Sequence, residues 1–338
     1  MAFTLPFLAS AALVASADEG STGRQTPAGP SIRPPLGVLR HVDAPTASPV
    51  SPRPELVVLV GGYQSCACDE TFDDLKPWLA ALPNTKVVRF GDDPGFPYDT
   101  YGSIDKSAIG LRDYIRSVGP EYSAVHIVTH SMGGVVADRA FANGLSHDDG
   151  VATYVSWSAP HSGSDAALAV LTSDLAGGGR DPLLHESLLW LQWESESPAV
   201  RDLALTRPVA PPPGVVRLDL REATDTLVTP RDARDPGVES RTLDNAREGH
   251  GGILHDPAAF DLTVRTIATR AIPPERRSPE QVRAAEKKSD RVGTFVLVTL
   301  GVLTAAAIVF SRRSRPFGTL IARALRDFVP RASRKRTA

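Results

Sequence analysis

The chain has 338 residues, 42% of them hydrophobic and 22% charged, and its formal net charge is −2 at pH 7. It has no internal repeat and no dinucleotide-binding fingerprint, and its aspartates and histidines are too dispersed for a zinc site. We therefore expect no cofactor and no metal. The absence of a basic excess outside the C-terminal tail also argues against a nucleic-acid partner.

The N-terminal region has the features of an exported protein. Met1 to Ala17 contains an apolar run from Phe3 to Val14 and ends in an A-x-A site, which predicts a signal peptide at 1–17. No Lys or Arg precedes the run, and an uncleaved anchor is the alternative, although about twelve apolar residues are short for a bilayer. Residues 18–54 are rich in Pro and Ser and are predicted to form an extended linker.

Strand and helix patterns alternate through the middle of the chain. Strands are predicted at Leu56–Val60, Lys86–Phe90, Val125–Val128, Val151–Trp157, Val215–Leu220 and Glu239–Leu243, with an amphipathic helix at Ile104–Val118. This order predicts an α/β domain at 55–270, with a mostly parallel sheet covered by helices on both faces. The carboxyl ends of its strands would gather the functional loops at one edge.

The third of these strands runs directly into a sharp turn. The stretch V-H-I-V-T-H-S-M-G-G, from Val125 to Gly134, has the form of a nucleophile elbow, in which a strand, a tight turn and a helix expose one side chain. Ser131 is therefore the candidate nucleophile; the alternative is a serine that caps a helix. Thr129 stands where the usual G-x-S-x-G pattern has its first glycine, and its β carbon would crowd the turn.

A carboxylate and a histidine follow Ser131 in the order that such a site requires. Asp225 lies in the loop after Val215–Leu220 and is preferred over Asp219, which falls inside the strand pattern. His250 lies between glycines in the loop after Glu239–Leu243. It is preferred over His255, which stands at the entrance of a predicted helix and is expected to help cap it.

These fragments together resemble the α/β-hydrolase fold family, in particular its lipase and esterase branch. The resemblance runs from Glu55 to Arg270 and is carried by V-V-L-V-G-G-Y, V-T-H-S-M-G-G, S-A-P-H-S-G-S, A-T-D-T-L-V and G-H-G-G-I-L-H-D-P. It implies that the backbone amides of Tyr63 and Met132 stabilise the oxyanion. Gly61 replaces the usual histidine of the first turn, so the hydrogen bonding of that loop departs from the family pattern.

Three further features surround the predicted site. An insertion at about 165–213, rich in Leu and Trp, reads as a cap, whose apolar residues could contact an acyl chain or simply anchor the cap. His161 could line the cleft but is expected to be structural. Cys66 and Cys68, the two cysteines of the chain, could form a tight disulfide beside the site, remain free thiols or bridge two chains.

The C-terminal region predicts a membrane anchor. After a charged linker at 271–291, residues 292–310 form an uncharged run of nineteen residues, close to the length that crosses a bilayer core as a helix. The tail at 311–338 holds nine basic residues and one acidic residue, so it is predicted to stay in the cytoplasm and to leave the α/β domain outside. Since the whole chain has a net charge of −2, the remainder is strongly acidic.

The function predicted from these patterns is hydrolysis of carboxylic esters, including lipid or acyl esters, through an acyl-enzyme on Ser131. His250 would act as the base and Asp225 would orient it. Thioesterase, peptidase and acyltransferase activities remain alternatives from the same site. A membrane-tethered scaffold protein without activity is the alternative from another class, and protein partners are not predicted.

Overall fold

The computed structural model describes residues 53–66, 68–175, 197–245 and 249–313. The predicted signal peptide, nearly all of the linker that follows it, the middle of the cap and residues 314–338 lie outside the described residues. The strands are β1 (Glu55–Val60), β2 (Thr85–Arg89), β3 (Ala124–His130), β4 (Val151–Trp157), β5 (Val216–Glu222) and β6 (Glu239–Leu243). The helices are α1 (Lys76–Leu79), α2 (Ile104–Val118), α3 (Met132–Ala142), α4 (Asp165–Leu175), α5 (Pro198–Leu205), α6 (Pro257–Thr269) and α7 (Pro279–Arg313).

The six strands form one sheet in the order β2-β1-β3-β4-β5-β6, and all neighbouring pairs are parallel. The predicted α/β architecture with a mostly parallel sheet is therefore confirmed. The strand that follows β1 in the chain, β2, lies on one side of β1, and the next strand, β3, lies on its other side. Such a reversal opens a crevice at the carboxyl ends of the two central strands, which is where α/β proteins place their sites.

The alternation of β1 shows how one strand supports two cores. Leu56, Val58 and Val60 pack on one face of the sheet with α2 and α3, whereas Val57 and Leu59 pack on the other face with α1 and α6. All five side chains are almost fully buried. A parallel strand covered on both faces reads as a continuous apolar run for this reason.

The last described helix, α7, begins inside the segment predicted as a charged linker. It packs closely against the loop after β5. A β carbon at Gly293 would lie only 2.7 Å from Cδ of Pro230. Val296 and Leu300 are buried on the same helix, and Phe295 and Val298 are exposed. No helix in the described part of the chain combines the length and apolar content needed to cross a bilayer. The side chains of residues 303–310 are outside that part, so the span at 292–310 stays a prediction.

Candidate active site

Ser131 occupies the turn between β3 and α3, as the sequence predicts. Its backbone has φ 54° and ψ −128°, a conformation that a residue with a side chain adopts at a cost of about 1–3 kcal/mol. A β carbon at Gly133 would lie 2.3 Å from the carbonyl oxygen of Val60, so only glycine lets α3 start this close to β1. The turn is therefore a strained elbow that holds the serine side chain at the edge of the sheet.

The threonine at the first position of the elbow is accommodated by the second glycine after the serine. Thr129 is fully buried as part of β3. A β carbon at Gly134 would lie 3.3 Å from Oγ1 of Thr129 and 2.3 Å from Cβ of Ala159. The missing side chain at Gly134 leaves the room that Thr129 takes, which is why the departure from G-x-S-x-G does not disrupt the turn.

The three side chains predicted from chain order meet at the carboxyl edge of the sheet. Nε2 of His250 lies 2.8 Å from Oγ of Ser131, and Nδ1 of His250 lies 2.8 Å from Oδ2 of Asp225. They come from the ends of β3, β5 and β6, which the parallel sheet brings to one side. Ser131 and His250 are partly exposed and Asp225 is buried, so a substrate can reach the hydroxyl but not the carboxylate.

Asp225 is held as a carboxylate. Burial alone would raise its pKa, but His250 and the backbone N–H groups of Val228 and Leu227 outweigh burial and bring the pKa below the usual value. Because the carboxylate can only accept hydrogen bonds, the proton of a neutral His250 must lie on Nδ1. Its Nε2 is then an acceptor for the hydroxyl of Ser131.

The two competing residues have other partners. Asp219 accepts a hydrogen bond from Ser156 inside the sheet, at 2.7 Å. His255 lies 2.6 Å from a carboxylate oxygen of Asp74 on the surface. The expectation that His255 caps the following helix is wrong, because Asp256 is the N-cap and its side chain accepts from the amide of Ala258.

His130 is a contact of the site that the sequence reasoning missed. Its ring lies 4.8 Å from the ring of His250, centroid to centroid. Burial lowers the pKa of His130 to about 3, and the proximity of His250 acts in the same direction. His130 is therefore neutral at pH 7 and can pack against His250 without adding a second positive charge.

The turn after β1 lies directly against the elbow. A β carbon at Gly62 would be 2.9 Å from Cβ of Ser131, so glycine is needed for this approach. The hydroxyl of Tyr98 donates to the carbonyl of Gly61 at 2.9 Å, and the hydroxyl of Ser65 donates to the carbonyl of Gly62 at 2.7 Å. These bonds hold the loop where the family pattern has a histidine. Cys66 and Cys68 form a disulfide just beyond it.

A second Ser-His-Asp set lies inside the domain. His161 contacts Oγ of Ser156 at 2.9 Å and Oδ2 of Asp138 at 2.6 Å, and all three residues are almost fully buried. The guanidinium of Arg217 lies among these side chains, pairing with Asp138 at 3.2 Å and also with Asp235. We assign this set a structural role, as the sequence suggested for His161, because Ser156 is only 1% exposed.

Asp138, His161 and Asp235 also have the spacing of metal ligands. However, the Arg217 cation already contacts Asp138 and Asp235 and lies 3.1 Å from Nδ1 of His161, so it occupies the place of an ion and pairs with both carboxylates. Sequence patterns missed this cluster because its members come from α3, β5 and two loops and only meet when the domain folds.

Residues 106–175, from α2 to α4 and including the elbow, match the sequence model of the PGAP1-like alpha/beta domain. No curated protein sequence matches the chain significantly. The mature lipase BlEst2 of Bacillus licheniformis is 15% identical, with 67% of this chain and 96% of that chain covered and a TM-score of 0.47. The carboxylesterase CesB of Bacillus subtilis is 17% identical, with 64% and 83% covered and a TM-score of 0.38.

Another structural match is named as a peroxidase and not as an esterase or lipase. The putative non-heme bromoperoxidase BpoC of Mycobacterium tuberculosis is 14% identical, with 64% of this chain and 92% of that chain covered and a TM-score of 0.43. Because a fold alone does not determine an activity, the reaction has to be argued from the side chains at the site.

Proposed function

We propose that the protein is a serine hydrolase that cleaves carboxylic esters. The observation that carries this proposal is the chain of two 2.8 Å contacts from Ser131 through His250 to Asp225, on a strained elbow at the sheet edge. A serine hydroxyl is a weak nucleophile by itself and needs a neighbouring base that is oriented by a third group. The match of residues 106–175, which include the elbow, to the PGAP1-like alpha/beta domain supports the same class of reaction.

The first half of the proposed reaction forms the acyl-enzyme. Nε2 of His250 takes the hydroxyl proton as Oγ of Ser131 bonds to the ester carbon. Asp225 accepts the Nδ1 hydrogen bond and stabilises the imidazolium, while the amides of Tyr63 and Met132 donate to the oxyanion. His250 then gives its proton to the leaving alcohol as the carbon–oxygen bond of the ester breaks.

The second half regenerates the enzyme. A water molecule attacks the acyl carbon and its proton passes to His250. The bond between the acyl carbon and Oγ of Ser131 then breaks, and the proton on His250 returns to the serine. If an alcohol takes the place of water, the same steps transfer the acyl group, so acyltransferase activity is the second candidate function of this geometry.

The proposed setting is the outer face of a membrane. A signal peptide at 1–17 would export the domain, and a helix at 292–310 with its basic tail at 311–338 would tether it. The tether would keep the site close to lipidic esters, which makes lipid or acyl esters the proposed substrates. A scaffold protein without activity is disfavoured because all three catalytic roles are filled by residues in contact.

Hydrolysis of short-chain p-nitrophenyl esters by the purified protein tests the proposal. We expect turnover by the wild type and a loss on the order of 10⁴-fold or more in Ser131→Ala and His250→Ala. His255→Ala is the matched control and should keep wild-type activity, because His255 pairs with Asp74 on the surface. A folded wild type that hydrolyses no ester would contradict the proposal.

A further inference from the structure

Glu222 is a buried carboxyl group beside the proposed active site that the hydrolytic mechanism does not use. Glu222 is the last residue of β5, and it is only 1% exposed to solvent. The amide of Asp225 donates to the carbonyl oxygen of Glu222 at 3.2 Å. Burying an ionisable group of this kind costs free energy unless the group is hydrogen-bonded or paired with an opposite charge.

The side chain of Glu222 connects β5 to the loop that carries His250. Its Oε1 accepts a hydrogen bond from the amide of Asn245 at 3.4 Å, and the side chain of Asn245 donates to the carbonyl of Gly252 at 2.7 Å. On the other side of His250, the amide of Gly249 donates to Oγ1 of Thr224 at 3.1 Å. Residues at the ends of β5 and β6 therefore fix the loop on both sides of His250.

The electrostatic surroundings of Glu222 are mixed. Burial raises its pKa to about 7, the amides of Asn245, Ala223 and Thr224 lower it, and Asp256 at the start of α6 raises it. Asp256 is the acidic group that faces Glu222 from a neighbouring element. The Oε2 atom of Glu222 has no hydrogen-bond partner among the described residues. The hydrogen bond from the Asn245 amide is thus the contact through which the carboxyl group of Glu222 can act on the loop.

We propose that Glu222 is a positioning residue: by accepting from the backbone of Asn245, it holds the loop 249–252 where His250 reaches both Ser131 and Asp225. The inference rests on the proposed hydrolytic function. Glu222 does not touch the reacting atoms, so it acts only through the loop. Misplacing a catalytic base by about 1 Å can cost about 100-fold in rate, which sets the scale of the expected effect.

Three variants of the full chain separate positioning from simple support of the fold. Glu222→Ala removes the acceptor, Glu222→Asp withdraws it by one methylene, and Glu222→Gln keeps an acceptor oxygen without the charge. We expect kcat to fall about 10- to 100-fold in the Ala and Asp variants, with KM within about twofold of wild type, and to recover to within about threefold in the Gln variant. Glu239→Ala, at an exposed glutamate of β6, is the matched control and should not change kcat.

Hydrogen–deuterium exchange of peptides covering residues 244–256 provides a readout that needs no activity. We expect faster exchange there in Glu222→Ala and Glu222→Asp, and wild-type exchange in Glu222→Gln. If Glu222→Ala does not fold, the Asp variant carries the test.

Two results would overturn the inference: wild-type kcat and exchange in a folded Ala or Asp variant, or a Gln variant as impaired as the Ala variant. A wild type that hydrolyses no ester would instead refute the proposed function. The exchange data would still decide whether Glu222 holds the loop.

Discussion

At the scale of single residues, the site depends on side chains that are held in demanding conformations or charge states. Ser131 keeps a backbone conformation that is unfavourable for any residue with a β carbon, and glycines at 62, 133 and 134 make room around it. His130 stays neutral because it is buried, which lets its ring pack against the ring of His250. These arrangements show that the strain at the elbow is tolerated because neighbouring positions are small or uncharged.

Glu222 provides a prediction of stability against pH. Its pKa is raised from 4.5 to about 7 by burial, so the folded state holds the proton more tightly than the unfolded state. Ionisation of Glu222 therefore costs stability: the cost is absent below pH 4.5, grows between the two values and is complete above pH 7. The Tm of Glu222→Gln should rise relative to wild type by a few degrees between about pH 4 and pH 8.5. A Tm difference that is constant over this range would contradict the raised pKa; Glu239→Gln is the control.

The sequence was sufficient to predict that three particular side chains meet at the edge of the sheet. Ser131, Asp225 and His250 follow strand patterns, and the parallel sheet must bring the ends of those strands together. The contacts of Glu222, His130 and Arg217 could not be predicted in this way, because each depends on which side chains face one another after the helices pack. The capping role expected for His255 failed for the same reason: a surface aspartate far away in sequence competes for its ring.

At the scale of elements, the turn after β1 approaches the elbow so closely that glycine is needed at position 62. The register of the sheet pairs Val60 with Thr129, so Gly61 and Gly62 lie beside His130 and Ser131. The parallel sheet was predictable from the alternating pattern, and its strand order was not. The hydrogen bond from Tyr98 to the carbonyl of Gly61 was not predictable either, since Tyr98 lies in an irregular loop between β2 and α2.

Substitution of Gly62 tests this approach. In Gly62→Ala the new β carbon would meet Cβ of Ser131 at 2.9 Å, so the turn or the serine must shift. We expect kcat for p-nitrophenyl esters to fall about 100-fold while the protein stays folded. Gly110→Ala on α2 is a matched control, because its β carbon would make an ordinary 3.6 Å contact with Phe90. Equal activity of the two variants would show that the turn is not part of the site.

At the scale of the whole molecule, α7 links the proposed anchor to the α/β domain. Two of its residues, Val296 and Leu300, are buried, and Gly293 lies against Thr229 and Pro230 in the loop after β5, which also holds Asp225. The proposed topology places this domain outside the cell and the basic tail at 311–338 inside. The tail and the signal peptide can be predicted from the sequence, because charge bias and apolar length act on membrane insertion rather than on packing within the domain.

Protease accessibility tests the proposed topology. Protease added to intact cells should digest the domain at 55–270 and leave an epitope fused after Ala338 protected, with both cleaved once the cells are permeabilised. The predicted reason is that the nine basic residues of the tail oppose its translocation. Protection of the domain in intact cells would contradict the orientation.

The most direct test of the central claim is labelling by a fluorophosphonate, which reacts with a serine hydroxyl only when a base activates it. We predict that the wild type is labelled, that mass spectrometry maps the adduct to Ser131, and that Ser131→Ala and His250→Ala are not labelled. Labelling at another serine, or none in a folded wild type, would contradict the assignment of Ser131, His250 and Asp225 as the catalytic set.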